Sequence, residues 1–191
     1  MKVGFNDHKY SVNEINGKQR KSYGAWKNMI RRCFDSKLQE EYPTYKGCTI
    51  SDSFLNFSYF HEWCEDQIGY KEKGFHLDKD ILVQGNKIYG KDTCVFIPNG
   101  LNQFLVNRIN FRGGNPVGVS FNKRNGLFHS RVNNGFGKLL HVGYFENKED
   151  AFNAYKEKKM AIALELISHY EGSVDERVLV SLSNLSFSIE D

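Results

Sequence analysis

Apolar residues along the first third of the chain recur at helical spacing. In "SYGAWKNMIRRCF", Tyr23, Trp26, Ile30 and Cys33 fall near one stripe with Met29 alongside, while Lys27, Arg31 and Arg32 occupy the other face. A loop, "EYPTYKGCTI", leads into a short apolar run. In "SDSFLNFSYFHEWCEDQI", Phe54, Phe57, His61 and Cys64 share a second helical stripe beside Phe60 and Trp63, with Asp52 or Ser53 as the expected N-cap. His61 reads as a partly buried histidine on that stripe. Two strand-like runs follow, "FHLDKDIL" and "TCVFI", joined by a turn containing Gly85 and Asn86. After Pro98, Asn99 opens a helix through Leu101, Phe104 and Leu105.

The period changes beyond "NRINFRGGNPVG", whose glycines and proline mark a linker. "GVSFNK", "LFHSRVNN" and "KLLHVGYF" predict three short strands, with hairpin signals at "RNG" and at Gly135 and Gly137. Asn147, with Asp150 three residues on, opens a long helix whose apolar stripe is Ala151, Ala154, Tyr155, Ile162 and Leu166. The end, "VDERVLVSLSNLSFSIED", predicts a short helix and an extended tail. The fold class expected is α+β: a helical N-terminal part with a strand-turn-strand-helix motif, then a three-stranded antiparallel sheet packed on one helix. The expected boundaries are 1–110 and 118–172 for two domains, 111–117 for the linker and 173–191 for the tail.

Composition allows this. The chain has 191 residues, 40% hydrophobic and 14% aromatic, enough for packed cores and too apolar for a disordered tail. No apolar run is long enough to span a bilayer, and "MKVGFNDHKY" lacks the apolar centre of a secretion signal. A cytosolic location is expected. Cys33, Cys48, Cys64 and Cys94 are scattered and read as free thiols. Zinc is not expected, because strong zinc sites come as closely spaced ligand pairs.

The net charge is only +3, but it is segregated. From Thr93 to Phe145 there is no Asp or Glu, while Arg108, Arg112, Lys123, Arg124, Arg131 and Lys138 fall there. The first 32 residues carry eight Lys or Arg against two acids, and the last 21 carry five acids against one Arg. Such segregation points to a basic face that meets phosphate. Strand alternation separates Phe128, Ser130 and Val132, facing the helix, from His129, Arg131 and Asn133, facing out. In the next strand Leu140 and Val142 face in and His141 faces out. With Lys123 and Arg124 at the first hairpin, and Lys138 at the second, the outer face could enter a DNA groove.

Residues 118–155 resemble the APETALA/ethylene-response-factor type of DNA-binding domain. The resemblance rests on Gly118-Val119, Phe128, "VGYF" at 142–145, and Ala151, Ala154 and Tyr155. It implies a sheet laid in the major groove of double-stranded DNA, with Ser120, Asn122, His129, Arg131, Asn133 and His141 on the DNA side.

"YGAWKNMIRRC", "YPTYKGC", "LDKDILVQGNKIYGKDTC" and "VFIPNGLNQF" resemble phage-encoded HNH endonucleases of the homing type. That resemblance implies Asp78 and Asn102 as ligands of a catalytic Mg²⁺ or Mn²⁺, both oxygen donors suited to hard ions. Lys79 falls where the family has its base histidine, and Thr93 falls near the place of its orienting asparagine. A lysine is a base only after losing its proton, which burial favours and a neighbouring carboxylate opposes. Lys79 could instead hold the phosphate as a cation. His76 and Asp80 are the alternative catalytic residues, since alternation would set His76, Asp78 and Asp80 on one strand face. Two functions follow: a metal-dependent DNA endonuclease, or a catalytically inactive DNA-binding protein that regulates or blocks another nuclease.

Overall fold

A computed structural model describes residues 4–105 and 114–189. Arg108 and Arg112 of the basic window, and part of the expected linker, lie outside the described residues. The chain separates into two compact units, Met1–Ile97 and Pro98–Asp191. The break falls where the candidate strand-turn-strand-helix motif passes from strand to helix.

The first unit is built on α1 (Lys21–Phe34), α2 (Ser36–Glu41) and α3 (Phe57–Glu65), with the short strands β1 (Thr49–Ile50), β2 (Phe75–Asp78), β3 (Ile88–Tyr89) and β4 (Val95–Pro98). Helix α1 buries Trp26, Met29 and Cys33, so the true stripe centres on Met29, and Tyr23 and Ile30 are only half-buried. Asp35 ends α1 with its own N–H on the Arg31 carbonyl, and its side chain accepts from Leu38 N to cap α2. One residue thus serves two helix ends, with Arg31 and Arg32 in the last turn of α1 matching its dipole.

The expected second helix is divided. Asp52–Leu55 forms a 3-10 turn, and α3 starts after Asn56, whose side chain accepts from Tyr59 N. Asn56 therefore caps the helix, not Asp52 or Ser53. The cause lies far away in sequence: Phe5 N bonds the Leu55 carbonyl and Phe57 N bonds the Phe5 carbonyl, which holds Asn56 extended between them. The core of this unit joins Trp26, Met29 and Cys33 to Phe54, Phe57, Phe60 and Cys64, and Trp26 Nε1 donates to the Phe54 carbonyl at 2.8 Å. His61 is buried in the same core, 3.0 Å from Ser22 Oγ. All four cysteines are free and buried here, and burial pushes the Cys33 and Cys94 thiols up to about 12.

β2 pairs with β4, whereas β3 pairs in parallel with β1, Thr49 opposite Ile88 and Ile50 opposite Tyr89. The expected strand over "FHLDKDIL" stops at Asp78, halfway along. Asp78 Oδ1 accepts from the backbone N–H groups of Asp80 and Ile81, at 2.9 and 2.8 Å, and so turns the chain out of the ladder. Asp80 consequently does not continue the alternation that was expected to set it on one face with His76 and Asp78.

In the second unit, α4 (Asn99–Leu105) precedes β5 (Val119–Asn122), β6 (Leu127–Asn133) and β7 (Leu139–Phe145). These three form one antiparallel sheet in the order β5-β6-β7, packed on α5 (Lys148–Tyr170). The α+β architecture expected for this part is what the chain adopts. Asn147 Oδ1 accepts from Asp150 N, and its amide donates to the Asp150 carboxylate, both at 2.8 Å. Gly118 has φ +77, and a Cβ there would come within 2.0 Å of the Tyr155 ring. The strand opening and the helix tyrosine are thus matched by direct contact. α6 (Glu176–Ser183) packs on α5 through buried Val178 and Leu182, which ties the expected tail to the sheet-helix unit. Among the described residues, no helix is long and apolar enough to cross a membrane.

α5 also buries a lysine. Lys159 is 4% exposed, donates to the Phe104 carbonyl near the end of α4, and stands over the Phe104 ring. Burial lowers its pKa from the ordinary 10.5 to about 7. Between these values the folded chain holds a neutral amine and the unfolded chain an ammonium, so unfolding takes up a proton. Lys159 therefore costs nothing above pH 10.5, costs progressively more as pH falls to 7, and levels off below. In urea unfolding followed by far-UV circular dichroism, Lys159→Met is expected to reduce the rise in stability between pH 7 and pH 9 by about 1 kcal/mol per pH unit. An unchanged slope would mean that Lys159 stays charged when folded.

Candidate functional site

The expected site residues fall into two groups. Around the end of β2, a buried cation organises the chain. Lys79 is 5% exposed, and its ammonium donates to an Asp80 carboxylate oxygen and, at 2.9 Å, to the Asn86 carbonyl. The Tyr89 ring lies 5.7 Å from Nζ. Asn86 returns the contact: its amide donates to the carbonyls of Lys79 and Ile88, at 2.7 and 2.8 Å, and its Oδ1 accepts from Ile88 N at 3.0 Å. Two residues seven apart each bond the other's carbonyl and close the loop between β2 and β3.

These bonds define what each residue can do. The Lys79 ammonium acts only as a donor in these bonds, and Asp80 is its ion-pair partner. Asp78 is half-buried, and burial raises its pKa, opposed by the two backbone N–H groups on Oδ1. Its second oxygen accepts no hydrogen bond among the described residues, which leaves a hard oxygen donor at a strand end. That chemistry fits Mg²⁺ or Mn²⁺ better than a softer ion. His76 is exposed on the same strand, two residues before Asp78. Asn102 lies half-buried on α4 in the second unit, whereas Asp78 belongs to the first. Among the described residues, no three or more of His, Cys, Asp and Glu converge as a metal-binding group.

Thr93 donates to the Ile88 and Gly90 carbonyls at 2.7 and 3.3 Å and braces the turn between β3 and β4. The asparagine that holds the loop is Asn86, seven residues earlier. Its signal was present in the Gly85-Asn86 turn, where an asparagine side chain bonds backbone two residues on.

The second group lies on the sheet face turned away from α5. Cross-strand partners share a face, so Ser120 stands with His129, Asn122 with Leu127, and Asn133 with Leu139. His129 is opposite Tyr144, and Arg131 is opposite His141. Between these two pairs the register shifts: Ser130 faces Gly143, so Val142 is the extra residue of a β-bulge. The bulge reverses the alternation of β7, bringing Tyr144 out beside His141. The three rings cluster: His129 stacks on Tyr144 at 4.6 Å and 21°, and His129 Nε2 lies 2.7 Å from His141 Nδ1. Burial lowers the His129 pKa, and Arg131 and His141 lower it further.

Lys123, Arg124, Arg131 and Lys138 are exposed, the lysines and Arg124 on the two hairpin turns and Arg131 on β6. Asn122 Oδ1 accepts from Arg124 N at 3.0 Å, and Asn133 Oδ1 accepts from Gly135 N at 2.7 Å. The side-chain oxygens of both residues therefore hold turns.

No protein-family model, curated protein or solved structure matches the chain. The functional reading therefore rests on these two groups of residues.

The loop clamp has a measurable consequence. Asn86→Ala removes two donors and an acceptor from the loop, and is expected to cost about 1–3 kcal/mol. Hydrogen exchange should accelerate at the Ile88 amide, which loses its acceptor, well before global unfolding. Exchange unchanged at that amide would show that other contacts carry the loop.

Proposed function

We propose that the chain is a DNA-binding protein whose outer sheet face grips the duplex, and that it acts as a metal-dependent endonuclease of the phage HNH homing type. What carries the reading is that face: Arg131 beside a His129–His141–Tyr144 cluster, rimmed by Lys123, Arg124 and Lys138. These cations lie in a window of sequence without a carboxylate. Exposed Lys and Arg take phosphates, while Arg131 and the ring edges reach groove acceptors. The four-carbon stems of the rim lysines let them follow the backbone of either strand.

On the HNH resemblance, Asp78 would hold Mg²⁺ or Mn²⁺ with Asn102 as the second implied ligand, and the ion would supply charge stabilisation at the phosphate and a more acidic water. Lys79 acts through structure: its buried ammonium holds Asp80 and the 79–88 loop, and so fixes the strand end that presents Asp78. His76, exposed on the same strand, is the residue able to take a proton from water. The second reading, a catalytically inactive DNA-binding protein, is favoured by one observation: Lys79, at the place of the family's base, is engaged as a donor to two groups.

Incubation with supercoiled plasmid separates the two. Nicking in Mg²⁺ or Mn²⁺ is expected in the parent chain and lost in Asp78→Ala and Asn102→Ala, with His76→Ala slower by about a hundredfold or more. Duplex binding without nicking, in both metals and across a pH series, establishes the inactive reading instead.

The sheet is tested apart from the chemistry. Arg131→Ala with Lys138→Ala should weaken duplex binding and lower the slope of log affinity against log salt by about two. An unchanged slope would remove the sheet from the interface.

A further inference from the structure

A second cationic feature lies in the first unit, outside both groups. Arg31 and Arg32 stand three and four residues after Asn28 on α1, opposite the buried Trp26–Met29–Cys33 stripe. They face α2 and the 3-10 turn Pro43–Tyr45, and between these elements is an open cavity of 230 Å³. Its walls are Asn28, Arg31, Arg32, Leu38, Tyr42 and Tyr45.

The cavity is prepared on one side and adaptable on the other. The Arg32 guanidinium lies 5.1 Å over the Tyr45 ring, and its Nη1 donates to Tyr89 OH at 3.3 Å, so it is fixed before any ligand arrives. Arg31 is exposed, with its Nε 3.7 Å from Asp35. The Tyr42 and Tyr45 rings stand 6.1 Å apart at 45°, and Tyr42 is 48% exposed. Two guanidinium forks and an amide beside two aromatic rings make a combination that a bare anion does not need. It suits a ligand with a phosphate at one end and a flat apolar ring at the other.

We propose that this cavity binds one nucleotide of single-stranded DNA, with Arg31, Arg32 and Asn28 on its phosphate and the Tyr42 and Tyr45 rings against its base. The inference rests on the reading above only in taking DNA as the polymer. It adds a contact for an unpaired strand, in a unit that the duplex-gripping sheet does not include. The Glu41 carboxylate, next to Tyr42 at the end of α2, raises the Tyr42 pKa and opposes an arriving phosphate.

The test is fluorescence anisotropy of the full chain with a labelled four-nucleotide oligothymidylate, competed by thymidine 5′-phosphate and by inorganic phosphate. Arg31→Ala and Tyr42→Ala, both at exposed positions, should each weaken oligothymidylate binding about tenfold. Glu41→Gln should tighten it, and Arg131→Ala with Lys138→Ala should leave it unchanged. Thymidine 5′-phosphate should displace the probe at a concentration at least tenfold below that needed for inorganic phosphate. Equal displacement by inorganic phosphate overturns the proposal in favour of a simple anion site. Oligothymidylate binding indifferent to Arg31→Ala and Tyr42→Ala also overturns it, while duplex binding through the sheet still stands. Pocket-dependent oligothymidylate binding without duplex binding or nicking would sink the nuclease reading and keep this one.

Discussion

The first unit depends on where it puts the Lys79 charge. An ammonium taken out of water costs several kcal/mol unless it finds a carboxylate and further acceptors. Asp80 and the Asn86 carbonyl supply them, and Asn86 closes the arrangement by bonding the Lys79 carbonyl in turn. The unit has only two-residue and four-residue strands, so ladder hydrogen bonds alone could not hold a nine-residue connection in one shape. The buried charge does that work, and the position of Asp78 follows from it. The same contacts draw Asp80 away from the strand face on which alternation would have put it.

The second unit solves a different problem. Its sheet has one face on α5, and among the described residues of this unit no element packs on the other face, which carries rings and cations. A single extra residue in β7 decides its chemistry. With strict alternation Tyr144 would point at the helix with Leu140 and Val142. The bulge sends it out to stack on His129, and leaves Gly143, which has no side chain, opposite buried Ser130. Stacked rings are stiff, so Arg131 sits beside a fixed surface instead of mobile neighbours.

Much of this was legible from residue order. α1, the three strands of the sheet and α5 with its Asn147–Asp150 cap follow from periodicity and capping chemistry, which act over a few residues. What was not legible depended on distant partners or on side chains that capture nearby backbone. Asn56 caps α3 because Phe5 pins the chain on either side of it. The strand through Asp78 stops because its own side chain captures two backbone donors, a competition that hydrophobic alternation does not register. Tyr144 was hidden by the bulge. The role of Asn86 lay in a recognised turn, but its partner became known only once Lys79 was seen to be buried. Among the site residues, the exposed cations of the sheet were readable as a set, because missing acids show in sequence.

The distribution of sulfur has a consequence of its own. Cys33, Cys48, Cys64 and Cys94 all lie in the first unit, each buried, and the second unit has none. A thiolate, not a thiol, reacts with alkylating reagents, and burial holds the thiols of Cys33 and Cys94 far from ionising at neutral pH. Alkylation must therefore wait for the aromatic core to open. The unlabelled chain carries its own clock for the breathing of one half, and it keeps silent about the other.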